Sequence, residues 1–279
     1  MKGIDVSVHQ GQIDWNKVRS NEVEFAILRA GYGMYENQKD PTFEFNYSEC
    51  NRVGILVGAY WYSYATTVEE AEKEAEVCLK ILDGRPMHLP VWFDQEYEPG
   101  IKDITKSLRT QICLAFMKKI SKAGYRTGLY CSYDWYTRWV DASKLTSYLV
   151  WIAQYAAKCR YEGNNLAIWQ YTSTGRVGGV GEGPGKNVDL DAGYTPLYPY
   201  IKQSGWTQID GAWYWLDEGK PIRSQWVKDK GFWYYLNFAG KMLTGLQTIK
   251  NKTYYLNEKT RNGIPMGACV ITDESGVIL

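Results

Sequence analysis

Leu89-Pro90-Val91-Trp92-Phe93-Asp94-Gln95-Glu96 is the stretch from which this chain of 279 residues is best read. Apolar and aromatic residues carry it from Leu89 to Phe93, the composition of a buried strand. The run then gives way to two carboxylates two residues apart, Asp94 and Glu96. A strand sets residues i and i+2 on one face, about 6.6–6.8 Å apart. Both acids are therefore expected to point the same way from the strand's end.

Outward from this stretch, strands and helices alternate. Gly3–Ser7, Phe25–Gly31, Gly54–Tyr62, Arg126–Cys131, Leu149–Ala153 and Ala167–Tyr171 read as further strands, and Asn187–Leu190 as the last. Asp14 to Val18 opens like a capped helix, while Phe43–Arg52, Val68–Leu82 and Thr105–Lys122 are helical in pattern. Alternation over about 190 residues predicts an α/β fold, a parallel sheet closed or covered by helices. Few residues remain for helices between about 155 and 186, so a regular eight-fold barrel is expected to be incomplete there.

The C-terminal part differs in kind. Gly205-Trp206 recurs as Gln225-Trp226 and Gly245-Leu246, Trp213-Tyr214 as Trp233-Tyr234 and Thr253-Tyr254, and Leu216, Leu236 and Leu256 keep step. The period is 20 residues over three copies, the signature of stacked hairpins that cannot bury a core alone. Residues 1–195 are thus expected to form one domain, 196–204, with Pro196 and Pro199, a linker, and 205–279 a small all-β hairpin-repeat solenoid.

Composition excludes several classes. Apolar residues make up 45% of the chain, enough for a globular core, and the net charge of +1 gives no overall pull toward nucleic acid. Residues 205–267 carry 9 Lys/Arg against 5 Asp/Glu, a local +4. No apolar run reaches the ~18 residues of a membrane helix. Met1 to Asp5 has no apolar core of a secretory signal, which predicts synthesis in the cytoplasm. Six cysteines without CxxC spacing are expected to be free and buried, and with only His9 and His88 a zinc site lacks ligands. An EF-hand starting at Asp189 fails because its twelfth position is Tyr200, so no metal or other cofactor is expected.

Two like charges side by side are costly unless one stays protonated or both find partners. Glycosidases use such pairs, one carboxyl donating a proton while another negative group steadies an oxocarbenium-like centre. The structural alternative is a pair neutralised by arginines such as Arg29. In a parallel barrel, chemistry sits at the C-terminal ends of the strands. Asp5 ends the first strand, Asp94 and Glu96 a middle one and Asp189 the last, so four acids far apart in sequence are expected on one rim.

Gly3-Ile4-Asp5-Val6-Ser7, Phe25-Ala26-Ile27-Leu28-Arg29, Gly58-Ala59-Tyr60-Trp61-Tyr62, Phe93-Asp94-Gln95-Glu96, Trp169-Gln170-Tyr171 and Val188-Asp189 together resemble the family-25 glycoside hydrolases, the lysozymes of phage endolysins and bacterial autolysins. The resemblance covers about residues 2–195. It implies an irregular (β/α) barrel with reduced helices. It also implies cleavage of the β-1,4 bond between N-acetylmuramic acid and N-acetylglucosamine in peptidoglycan. On matched positions, Glu96 becomes the general acid/base, its pKa raised by Asp94 and an apolar rim. Asp94 would stabilise developing positive charge or orient the 2-acetamido group; Asp5 and Asp189 would form an acidic floor. Tyr60, Tyr62 and Tyr130 would contact sugar. Trp61 stands where many members have histidine, which bears on a sugar subsite.

Exposed aromatic cages bind quaternary ammonium groups by cation–π attraction, and the repeats resemble choline-binding repeats of pneumococcal-type wall proteins. That resemblance groups Trp206, Trp213 and Tyr235 with Met242, then Trp226, Trp233 and Tyr255 with Met266. The third copy, with Leu246 and Thr253, would complete the second cage without starting another. The local positive charge could meet the phosphates of wall teichoic or lipoteichoic acid. Related repeats bind glucans or other wall polymers without choline, so the ligand stays open. The reading as a whole is a wall-anchored muramidase, delivered as a phage endolysin through holin-made holes or as a secreted autolysin. A chitinase-like glycosidase and a non-catalytic wall-binding protein are the alternatives. Asp5, Asp189 and the Trp169-Gln170-Tyr171 strand argue against the first, and the presence of all four acids against the second.

Overall fold

Eight strands close into a barrel: β1 (Lys2–Val6), β2 (Phe25–Tyr32), β3 (Leu56–Tyr62), β4 (Val91–Asp94), β5 (Thr127–Ser132), β6 (Leu149–Ala153), β7 (Leu166–Gly175) and β8 (Val188–Gly193). This is a computed structural model, and it describes residues 1–270 apart from 99, 182–186, 195–204, 210, 218, 219 and 262. The expected linker 196–204 and the tail 271–279 lie outside the described residues. The chain divides into two compact units, Met1–Pro199 and Tyr200–Leu279.

In the first unit each parallel pair from β1 to β6 is bridged by a crossover, and the helices follow local signals. α1 (Trp15–Ser20) is capped by Asp14, whose carboxylate accepts from Asn16 N and Lys17 N. α2 (Phe43–Val53) ends at Gly54 in the left-handed region. α3 (Val68–Leu82) opens on a capping box in which Thr67 and Glu70 satisfy each other's backbone N–H groups. α4 (Lys106–Lys122) is capped by Thr105, and α5 (Tyr133–Arg138), capped by Ser132, is a helix not expected from the sequence. No helix among the described residues joins β6 to β7 or β7 to β8.

The expectation of an all-parallel sheet is corrected at the last strand. β8 runs antiparallel to both β7 and β1. An antiparallel return needs no helical crossover, which is why so few residues suffice there.

Alternation along the strands separates two packing faces. Outward residues such as Leu28, Val57, Trp61, Phe93 and Leu129 join the helices in one large core. The barrel interior holds bulkier rings, and glycines make room for them. A Cβ on Gly128 would come within 2.5 Å of the Trp92 ring, and one on Gly58 within 2.9 Å of Ile27 Cδ1. Trp92 and Trp151 pack edge to face with centroids 5.7 Å apart.

The second unit is a set of hairpins: β9 (Gly205–Ile209) with β10 (Ala212–Asp217) and the short β11 (Lys220–Pro221), β12 (Gln225–Asp229) with β13 (Phe232–Leu236), and β14 (Gly245–Ile249) with β15 (Lys252–Leu256). After each of the last two hairpins the chain turns back onto the one before. Met242 N donates to Trp213 O at 2.7 Å and Cys269 N to Trp233 O at 2.7 Å. Residues 268–270 therefore belong to the stack. No helix among the described residues is long and apolar enough to cross a membrane.

Candidate active site

Side chains at the C-terminal ends of the parallel strands line a cleft of about 880 Å³. Asp5 from β1, Asp94 at the end of β4, Glu96 just beyond it and Asp189 from β8 all border it. Asp189 reaches this rim from the first turn of its strand, not its last. β8 is reversed, and Asp189 pairs directly with Asp5 across the β1–β8 ladder. Tyr60, Tyr62 and Tyr130, from β3 and β5, line the same cleft, with Tyr32, Tyr64 and Tyr155 extending its aromatic wall. A smaller cavity of about 260 Å³ shares Glu96, Tyr130 and Tyr155 with the cleft, so two spaces adjoin Glu96.

β4 stops at Asp94, yet the alternation continues past its end. Asp94 and Glu96 face the cleft, while Gln95 is fully buried and accepts from Cys113 Sγ on α4 at 3.4 Å. Arg29 does not neutralise the pair. Its Nε donates to Asp40 Oδ2 at 2.8 Å, and Asp40 also accepts from Val8 N and from Thr42.

Burial dominates the electrostatics. It raises the Asp94 carboxyl well above the usual range, Glu96 raises it further, and Arg29 partly opposes both. Burial also raises Glu96. The charges that add to this are Glu98 and Asp189, while a hydrogen bond from Tyr130 works the other way. Glu98 thus stands where Asp94 was expected as the neighbour acting on Glu96. Asp5 is raised well above its usual value by burial, then by Asp191 and Asp189, and Asp189 is pushed up to about 6 by burial. A rim that crowds carboxyls away from water holds protons at pH values where free acids have lost them.

Trp61 lies outside the cleft. With Tyr60 and Tyr62 facing in, alternation turns it outward into the helical core, where it is fully buried and donates from Nε1 to Gly33 O at 3.2 Å. Its replacement of histidine leaves the cleft wall untouched.

In the repeats, a cavity of about 290 Å³ is lined by Trp206, Trp213, Tyr234, Met242, Met266 and Asp229, among others. Tyr234, not Tyr235, packs on Trp206, with centroids 4.8 Å apart and the rings at 71°. Tyr235 lies across the hairpin from Trp226, which meets Tyr254 of the next hairpin at 4.9 Å. Tyr255, expected in that second group, faces away from the 254 side of its strand and is exposed. Met266, also expected there, borders the first cavity. The repeat-to-repeat contact thus uses the tyrosine one position earlier than the resemblance suggested.

With this geometry in place, known proteins fall into line. The profile described as "Glycosyl hydrolases family 25" matches residues 4–180. The chain belongs to that family. The profile of the putative cell wall binding repeat matches residues 204–219, 224–242 and 244–259. Lysozyme M1 of Streptomyces globisporus is 27% identical to this family 25 chain over 196 residues, covering 64% of each protein. The chain thus spans less than two thirds of that relative's length. The modular autolysin LytC of Streptococcus pneumoniae is similar in structure, with 28% identity and a TM-score of 0.61 over 69% of this chain and 46% of the autolysin. A modular endolysin, Cpl-1, shares the fold along all of this chain and 88% of its own, at 20% identity and a TM-score of 0.56.

Three residues of this family 25 rim had no site role in the sequence analysis. Gln170 is buried on β7, donating to Asp5 Oδ2 at 2.8 Å and accepting from Tyr130 and Tyr155 hydroxyls at 3.0 and 3.1 Å. Its signal was a lone polar residue between two aromatics in a strand. Asp191, two residues after Asp189, is buried beneath the rim and accepts from Trp151 Nε1 at 2.9 Å. Glu98 continues the spacing of Asp94 and Glu96 and accepts from the Tyr62 hydroxyl.

Proposed function

We propose that this chain is a peptidoglycan muramidase, a lysozyme hydrolysing the β-1,4 bond between N-acetylmuramic acid and N-acetylglucosamine, held at the Gram-positive wall by its repeats. The observation that carries the reading is the meeting of Asp5, Asp94, Glu96 and Asp189 in one tyrosine-lined cleft. Residues 1–195 are the catalytic domain and 205–279 the wall-binding repeats. The enzyme acts at the wall, as an endolysin released during host lysis or as an autolysin.

Glu96 is the general acid/base. Its raised pKa keeps a proton available for the leaving glycosidic oxygen, and the ionised form then takes one from water. Asp94 sits beside it, more deeply buried, and its Oδ1 has no hydrogen-bond partner among the described residues. That atom is suited to orient the 2-acetamido group or to steady positive charge at the anomeric carbon. Asp5 and Asp189 form the floor, with Asp5 held by Gln170. Tyr60, Tyr62 and Tyr130 give the sugar rings surfaces to rest on. A long glycan needs subsites on both sides of the cut bond, and the two cavities that share Glu96 give it room.

In the repeats, Trp206, Trp213, Tyr234 and Met242 make a cage for the choline of a teichoic or lipoteichoic acid. The local excess of Lys and Arg suits the polymer's phosphates.

The test is a turbidity assay on whole Gram-positive cells, run beside Glu96→Gln. Lysis by the parent and its loss in the variant support the muramidase. A parent that binds walls but leaves turbidity unchanged makes it a non-catalytic wall-binding protein, and chitin hydrolysis without lysis makes it chitinase-like.

A further inference from the structure

We infer that the two aromatic sites of the repeats are unequal: the first takes a quaternary ammonium ligand, and the second is occupied by the chain's own Lys228. This rests on the wall-ligand reading above and adds to it which hairpin does the binding.

The two frames are built alike. Trp206 of one hairpin packs on Tyr234 of the next, with Trp213 lining the same cavity, and 20 residues on Trp226 packs on Tyr254, with Trp233 on the same face of its hairpin. What surrounds the rings is different. Opposite Trp213 on the first hairpin stands Gln208, whose amide donates to Gly211 O. Opposite Trp233 on the second stands Lys228, with Nζ 5.6 Å from the ring centroid. That is within the ~6 Å at which an ammonium is attracted to an aromatic face. One of the rings a ligand cation would use already faces a cation.

The neighbouring residue acts in the opposite sense. Side chains alternate along β12, so Asp229 leaves the other face from Lys228 and reaches the first site. There it accepts from Trp206 Nε1 at 3.1 Å and lines the cavity with Trp213 and Tyr234. A carboxylate beside the rings strengthens their hold on a cation. Its counterpart 20 residues on is Ile249, which is buried and uncharged. The thioether wall changes as well. Met242, bonded through its N–H to Trp213 O, is replaced at the second frame by Cys269, bonded in the same way to Trp233 O. Lys230 borders the first cavity, but Lys250 holds the same place in the third hairpin, so it does not distinguish the sites. Every difference that does distinguish them favours a cation at the first.

The measurement is choline chloride titrated into the full chain, by calorimetry and by tryptophan fluorescence. The parent is expected to show one tight site, removed by Trp213→Ala and kept in Trp233→Ala. Lys228→Gln, which installs the residue of the first hairpin, is expected to tighten the second, weaker site by about two- to five-fold, the range an exposed cation–π contact supplies. Two equal sites in the parent overturn the inference. So does a tight site lost in Trp233→Ala, or a Lys228→Gln variant with second-site affinity unchanged. Absence of choline binding in the parent overturns the choline reading itself, while the turbidity assay judges the muramidase separately.

Discussion

In the barrel, Trp61 and Trp92 are wholly buried and Trp135 and Trp151 only 1% exposed, whereas in the repeats Trp233 is 41% and Tyr255 44% exposed. The same kinds of side chain meet different numbers of layers. A barrel strand has facing strands on one side and helices on the other, so a ring finds partners whichever way it points. A two-stranded hairpin has one neighbour and one open face. Rings that the barrel buries on both sides stay partly exposed in the repeats, where Trp233 has only Lys228 across its open face. Charge follows the same division. The rim keeps carboxyls away from water and raises their pKa values, while the repeats carry their lysines on the surface.

The sharpest test of this contrast concerns charge. Glu96→Gln is expected to lower lysis by at least about 100-fold, the usual contribution of a general acid/base, with an unchanged circular dichroism spectrum. Activity above a few per cent of the parent's would return the acidic rim to a merely structural role.

Packing comes next. Trp92→Ala is expected to lower the unfolding free energy of the barrel by about 3–5 kcal/mol in a denaturant titration. Gly128→Ala is expected to destabilise it too, because the added Cβ would meet both the Trp92 ring and Leu149 O. A loss for Trp92→Ala no larger than for a hairpin tryptophan would break the comparison.

The buried acids carry a pH signature whose sign is fixed. Glu74 on α3 is fully buried and accepts from Tyr64 N at 2.9 Å. Burial pushes its carboxyl up to about 7. A folded-state pKa above the unfolded one means its favourable contribution is complete in acid and lost as pH rises through about 7. Glu74→Gln removes that loss. Relative to the parent, the variant should match in stability near pH 4 and gain roughly 2–3 kcal/mol by pH 8. Melting curves across that range decide it, and parallel curves would count against a buried, protonated Glu74.

The smallest effect belongs to the open face. Trp233→Ala should change stability by less than about 1 kcal/mol, as exposed substitutions usually do. A larger loss would mean that the ring packs into the stack more than its exposure implies.

Much of this was legible in the residues. Val68–Leu82 was read to the residue, because its helical period and the acids of its first turn are local signals. That Asp5, Asp94 and Glu96 share a rim followed from their place at strand ends, whereas Asp189 joins them because its strand is reversed. Trp61 could have been placed as well, since alternation with Tyr60 and Tyr62 turns it outward. Gln170 and Asp191 were harder to see. Their importance lies in bonds to Asp5 and Trp151, which are 165 and 40 residues away.

By itself the sequence determined the order of the strands and of most helices, the 20-residue period and the identity of four rim acids, because propensity, capping and alternation act over a few residues. Only the tertiary structure decided that β8 runs backwards, so that Asp189 meets Asp5 from the start of its strand. Only there did Tyr234 displace Tyr235 against Trp206, and Lys228 come to rest over Trp233. Strand direction and the facing of one hairpin on the next depend on partners distant in the chain. A local pattern constrains which face a side chain leaves from, but not what it meets.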